Sequence, residues 1–419
     1  MVSDLHFFNQ EAGDTVAKVR ISAKRANNNN IDLHPAVDSN LSNLRKEERT
    51  HIPVRKGNVA VLISFVLLLL LLIYSLTLFV VPDGSGSLAG YLMKIQDKMS
   101  GLMTWIQSGG GAFEANLIKY SIIILSGASL AAAGCVFQGS FRNIIASPST
   151  MGVQAGASLG NTLYTWFFVE VITENVIVKY DIDAVSETSI WELNRRPLLA
   201  IAGALISVWI VAGISSLLGK GAFSGGNILF AGIVFSSFVG AINTLFEYYF
   251  IYFDPDDSRW QALQEFNMGN FDKVIASEDL AMMSVFLVPC LLILVLISPK
   301  LNVIVMGEDE AATMGVNVRL YRTALIVVGT IMAAVVYAFC GAIGFVGFIV
   351  PQICRRFTGP DFRKLIPMCM FSGGILLILV YDVAVVFGYT QYMNMITSVI
   401  GCSMMIYALF AGKGGRAYG

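Results

Sequence analysis

Residues 59–81 run VAVLISFVLLLLLLIYSLTLFVV without a single charge. An uninterrupted apolar stretch of that length crosses the roughly 30 Å hydrocarbon core of a bilayer as a helix. Comparable runs recur to the end of the chain, at 117–138, 151–169, 197–218, 227–250, 279–298, 323–341, 343–357, 365–388 and 394–411. The pattern predicts an all-α, polytopic integral membrane protein of about ten transmembrane helices, the seventh and eighth parted only by a tight glycine turn. Apolar residues make up 55% of the chain and charged ones 14%, which places it outside the soluble globular range.

Ahead of the first run, residues 1–56 are polar and mixed in charge, include Asn27 to Asn30 and show no helical or strand period. Such a segment cannot bury enough apolar surface to offset its ordering entropy, so a disordered cytoplasmic tail is expected before a transmembrane domain over 57–419. The apolar run begins too late and is too long for a cleaved signal peptide. Arg55 and Lys56 flank its start, and Arg142, Lys220, Lys300, Arg319, Arg355, Arg356, Arg363, Lys364 and Lys413 fall on the same side of a ten-span topology. The opposite side receives Asp181, Asp183, Asp254, Asp256 and Asp257. By the positive-inside tendency both termini are cytoplasmic.

Several chemistries are disfavoured. All three histidines (His6, His34, His51) precede the first span, which leaves the membrane part without imidazole for a metal, a haem or a proton relay. The six cysteines sit in or beside apolar runs with no metal-ligand spacing and read as small core residues. The near-zero net charge carries no message about nucleic acid. No GxxxxGK[ST] loop exists: Lys220 and Lys413 are each followed by Gly. The chain therefore does not hydrolyse a nucleotide, and active transport through it needs an ion gradient or a separate ATPase. Glu247 and Asp382 are the clearest intramembrane acids. Glu247 reads as a hydrated or hydrogen-bonded interfacial acid and Asp382 as a helix-locking one, with an ion-coupling role as the alternative for either.

Small residues crowd several spans, notably 126–134, Gly152 with Gly156 and Gly160, and Ala231-Gly232, where they permit close helix approach. The segment GEDEAATMGVNVRLYR (307–322) is charged and must lie in water. Glu308, Asp309 and Glu310 suit the first turn of a short helix. Ala311, Ala312 and Met314 give it a compact apolar face, and Gly315 ends it. An ordinary solvated loop is the plain alternative.

The blocks SGASLAAAGCVFQGSFRNIIASPSTMGVQAGASLG (126–160), NILFAGIVFSS (227–237), GEDEAATMGV (307–316) and GAIGFVGFIVPQICRRFTGPDFRKLIP (341–367) resemble, in order and spacing, those of the FecCD family, the iron-chelate and cobalamin permeases of bacterial ABC importers. The resemblance covers about 59–411. It implies one permease of a two-permease unit in the bacterial plasma membrane, importing an iron-siderophore, haem or cobalamin-like chelate delivered by an extracytoplasmic solute-binding protein. Two copies of an ATP-binding subunit would drive it, using ATP and Mg, with no cofactor bound by this chain.

The resemblance also implies site residues. Gly307, Glu308, Glu310, Ala311, Ala312, Gly315 and Arg319 would couple to the ATPase. Asn143 and Ile145, with Ser224 and Gly225, would form the cytoplasmic gate, although Ile144 stands where the family has proline. Lys119 would dock the binding protein where the family has arginine, with a snorkelling lysine as the alternative; Asn116 and Val386 replace two further family arginines. The family's Glu-Leu-Pro-x-Gly entry to the last span is replaced by Met393 to Thr397. There, Tyr389, Tyr392, Met393 and Met395 would either line an outer vestibule or pack against core and lipid. A gradient-driven secondary transporter of a small organic solute is the competing class.

Overall fold

The computed structural model describes residues 54–78, 112–179, 195–217, 225–253, 259–274, 276–306 and 317–411, with isolated positions between 96 and 103. The tail to residue 53, Ser224 and the 307–316 portion of the expected coupling segment lie outside the described residues. Eleven helices are found among those described: α1 (Val54–Ile73), continued by a π-helical turn (Tyr74–Leu78), α2 (Ala112–Phe141), α3 (Val153–Lys179), α4 (Arg195–Leu217), α5 (Gly225–Phe253), α6 (Arg259–Met268), α7 (Ser277–Met306), α8 (Val318–Cys340), α9 (Val346–Thr358), α10 (Phe362–Phe387) and α11 (Met393–Ala411).

A helix stands at each of the ten predicted positions. Seven are long and apolar enough to cross a membrane: those within α1, α2, α4, α5, α7, α8 and α10. The eighth predicted span is different. At 13 residues, α9 rises only about 20 Å, short of the hydrocarbon thickness. Ahead of it, residues 341–345 are non-helical. Gly341 lies against Phe266 and Gly269, Gly344 against the Asn394 side chain, and Phe345 against Gly401. This broken span descends along α11 before α9 begins. Non-helical backbone at that depth is tolerated because protein surrounds it. One further helix, α6, was not predicted: it is ten residues long and half polar, held down by Leu263 and Phe266.

Of the seven, α2 is the most buried and α1 the most exposed. Glycines set how closely α2 is approached. A Cβ on Gly127 would overlap the backbone of Gly373 in α10, and one on Gly134 the backbone of Gly347 in α9. Gly156 and Gly160 of α3 meet Gly203 and Leu199 of α4 in the same way, as the small-residue pattern anticipates.

Polar ties fix the two ends of the bundle. At the basic end, Asn302 of α7 donates to Asp361 (2.7 Å) and accepts from the Phe362 amide (2.8 Å), clamping α7 to the start of α10. Arg142 Nη2 donates to the Ile304 carbonyl (2.9 Å) two residues before α7 ends. At the opposite end, the buried Asp382 accepts hydrogen bonds from Ser75 (2.6 Å) and Tyr120 (2.8 Å). Those bonds join the π-helical turn, α2 and α10, the helix-locking arrangement expected of this acid. A buried carboxylate left without such partners would cost several kcal/mol, on the order of 3–5.

Candidate functional site: a polar groove along α5

A groove of about 580 Å³ runs along one face of α5. From α5 it is lined by Ser236, Ser237, Gly240, Asn243, Thr244 and Glu247, a spacing of three and four that puts them on one side of a helix. Facing them are Gln154 and Ser158 of α3, Asn267 of α6, the 342–345 stretch, and Asn394 and Ser398 of α11. Ser149 and Thr150 close its lower end. Between Ile233 and Glu247, both lining residues, α5 rises about 21 Å, some two-thirds of the hydrocarbon thickness.

The walls are held by a hydrogen-bonded chain that runs in one direction. Thr162 donates to Asn243 Oδ1 (2.9 Å), Asn243 Nδ2 to Ser158 Oγ (2.8 Å), and Ser158 to Asn267 Oδ1 (2.9 Å). Asn267 Nδ2 then donates to Glu247 Oε1 (3.2 Å). Gln264 of α6 reaches the other carboxylate oxygen at 3.4 Å. Asn394 ties in α11 and the broken span, donating to the Asn267 carbonyl (2.8 Å) and accepting from the Gly344 amide (2.9 Å). Phe345, which also lines the groove, has φ +64°. A bulky residue in the left-handed region is strained and persists only where its surroundings enforce it. Here its ring fills the space left by the missing side chain of Gly401.

The predicted gate turn is tied to the groove through Thr150, one of its lining residues. Asn143 Oδ1 accepts from the Ile145 amide (3.0 Å), closing a short side-chain turn, and Thr150 Oγ1 donates to the Ile145 carbonyl (3.2 Å). Gln352 of α9 donates to the Ile144 carbonyl (3.4 Å). Gly225 is the first residue of α5, and Arg319 belongs to the first turn of α8. Gly307, Glu308, Glu310, Ala311, Ala312, Gly315 and Ser224 lie outside the described residues.

At the opposite end, Lys119 is paired within the chain, 2.7 Å from Asp272. Tyr381 donates to the same carboxylate oxygen (2.7 Å). Burial alone would push the Asp272 carboxyl up, but hydrogen bonds from Lys119, Thr390 and Tyr381 outweigh it and hold Asp272 below its ordinary range. The four candidate vestibule residues do not line the groove. Met393 is fully buried in the core, so its contribution is packing; Tyr389 and Met395 are exposed, and Tyr389 stands edge-on to Tyr392 with ring centroids 6.0 Å apart. Their neighbours Asn394 and Ser398 are the residues that reach the groove. The sequence did carry a signal for the α5 face, polar or small residues at 236, 237, 240, 243, 244 and 247 within an apolar span, but nothing in it links that face to Ser158, Asn267 or Asn394.

Residues 67–411 match the FecCD transport family. A protein named as an ABC transporter permease of Methanocaldococcus jannaschii is 28% identical over 350 residues, covering 81% of this chain and 93% of that protein. The cobalamin import system permease protein BtuC of Halobacterium salinarum is 29% identical over 293 residues, covering 68% of this chain and 69% of the relative. Among solved structures, the inward-facing conformation of a protein described as a metal-chelate-type ABC transporter superposes with a TM-score of 0.63, 21% identity, and coverage of 84% of this chain and 99% of that one.

Proposed function

This chain belongs to the FecCD transport family, and on that premise we propose that it is the permease subunit of an ATP-driven importer carrying an iron-siderophore, haem or cobalamin-like chelate from a solute-binding protein into the cytoplasm. One observation carries the reading: a polar groove follows α5 for about 21 Å and reaches Thr150, whose hydroxyl is bonded to the carbonyl of Ile145 in the candidate gate turn. Hydroxyl, amide and carboxylate groups on a spanning helix cannot face lipid without large cost, so this face borders water, cargo or protein. A second permease, identical or paralogous, laid against it would turn two open grooves into one shaft.

In the proposed cycle the binding protein docks on the end that carries Lys119. Its acid would have to compete with Asp272 for that ammonium, which is feasible because the pair is partly exposed. Two ATP-binding subunits, using ATP and Mg, close against 307–322 at the cytoplasmic face. The cytoplasmic placement of that end and of both termini follows from its basic residues. Arg142 and Asn302 pass the displacement of the adjoining end of α7 to the gate turn and to α10. α5 and α11 then rock and release the chelate inward.

The test is uptake into proteoliposomes containing the assembled permease and ATPase. Uptake that requires ATP and ignores a proton or sodium gradient is expected; gradient-driven uptake without ATP sinks the reading. Replacing Gly315 by Leu should leave hydrolysis intact and abolish transport.

A further inference from the structure

The groove carries a charge sign that bears on which cargo it passes. Glu247 is the single charged residue among those lining it. Both its oxygens accept amide N–H groups, and such bonds favour the charged form of a carboxylate. The guanidinium of Arg259 lies over the Phe250 ring, 5.4 Å from its centroid, and is not part of the lining. The neutral wall leans the same way. Ser237 spends its proton on the Ile233 carbonyl (3.0 Å) and Thr244 on that of Gly240 (3.0 Å). Ser158 spends its own on Asn267. These hydroxyls therefore offer the groove lone pairs, not protons, and every link in the chain from Thr162 ends on the carboxylate.

We propose that this wall selects cargo by charge and hydrogen-bonding sense: the chelate that passes is neutral or cationic and rich in N–H donors, and anionic chelates are rejected. The proposal rests on the importer reading and names its substrate class. A unit charge passing about 8 Å from a carboxylate, at an effective dielectric of about 20, is favoured or disfavoured by on the order of tenfold or more.

The experiment uses the complete transporter, with its ATPase subunits and binding protein, and three saturating probes. They are a ferric trihydroxamate bearing a free ammonium arm, a ferric trihydroxamate without ionisable groups, and a ferric tris-catecholate trianion. Because the binding protein is the same throughout, changes in relative uptake rate between permease variants report the groove. The expected order is cation, neutral, trianion. Glu247→Gln should lower the cation-to-trianion ratio by far more than tenfold, because the two probes differ by four units of charge and each unit is worth on the order of tenfold. Thr244→Lys, at an exposed position on the same wall, should lower it further. Unchanged ratios in both variants, or a wild type that carries the trianion as fast as the cation, overturn the charge filter and leave the importer reading standing. No uptake of any probe by a complex that hydrolyses ATP and carries cobalamin likewise overturns the filter, whereas failure to carry any chelate, cobalamin included, overturns the importer reading beneath it.

Discussion

Asp272 shows how a side chain outside the spans can fasten three elements. It sits between α6 and α7, yet accepts from Lys119 of α2 and Tyr381 of α10. Those donors favour the charged form by more than burial disfavours it, so its folded pKa lies below the unfolded value near 3.9. Linkage then fixes the sign. The carboxylate's contribution to stability is complete above the unfolded pKa and is lost as the pH falls through the folded one. Thermal unfolding of the detergent-solubilised protein should therefore show an acid-side loss of stability below about pH 4 that Asp272→Asn makes shallower. An unchanged acid limb in that variant would mean the carboxylate contributes nothing. Lys119 was legible in the sequence as an interfacial cation; its partner, 153 residues away, was not.

At the scale of elements, the end of α7 is tied by three side-chain hydrogen bonds, and it adjoins the segment read as the contact with the motor. Arg142 holds the Ile304 carbonyl, while Asn302 exchanges two hydrogen bonds with Asp361 and Phe362. A hydrogen bond from a charged donor is worth about 1.5–3 kcal/mol, and the exposed setting of Arg142 puts this one at the low end. Replacing Arg142 by Ala should lower cargo moved per ATP hydrolysed several-fold while basal hydrolysis persists. Equal coupling in the variant would show that α7 moves without the gate turn. The apolar runs announced α7 and α10 plainly. They did not announce α6, which is too short and too polar to raise a hydropathy signal, nor the break at 341–345, whose glycines read equally well as a simple turn.

For the whole molecule, the question is what covers the polar flank of α5. Ser237 and Thr244 line the groove, whereas Phe238 and Leu245, one residue further on, are exposed and apolar. In a shaft formed with a second permease, the first pair meets water and the second meets lipid or partner. With Cys402, the exposed cysteine among the described residues, changed to Ser, single cysteines at 237 and 244 should react with a charged, membrane-impermeant maleimide. Cysteines at 238 and 245 should not. Equal labelling of the two sets in the assembled transporter would rule out a water-filled shaft on this face.

The sequence by itself determined the solvent this protein lives in and the elements it is built from. Apolar run length is a property of consecutive residues, and bilayer thickness reads it directly. The ordered blocks between 126 and 367 determined the family for the same reason, being contiguous. Only the tertiary structure decided where cargo would pass. The groove is assembled from Ser158, Asn243, Asn267 and Asn394, small polar residues scattered over more than two hundred positions, and no local period marks residues that become neighbours solely because helices cross. It also decided that Met393 packs inside while Asn394 faces the groove, since a helix turns about 100° per residue and its neighbours choose which side is covered.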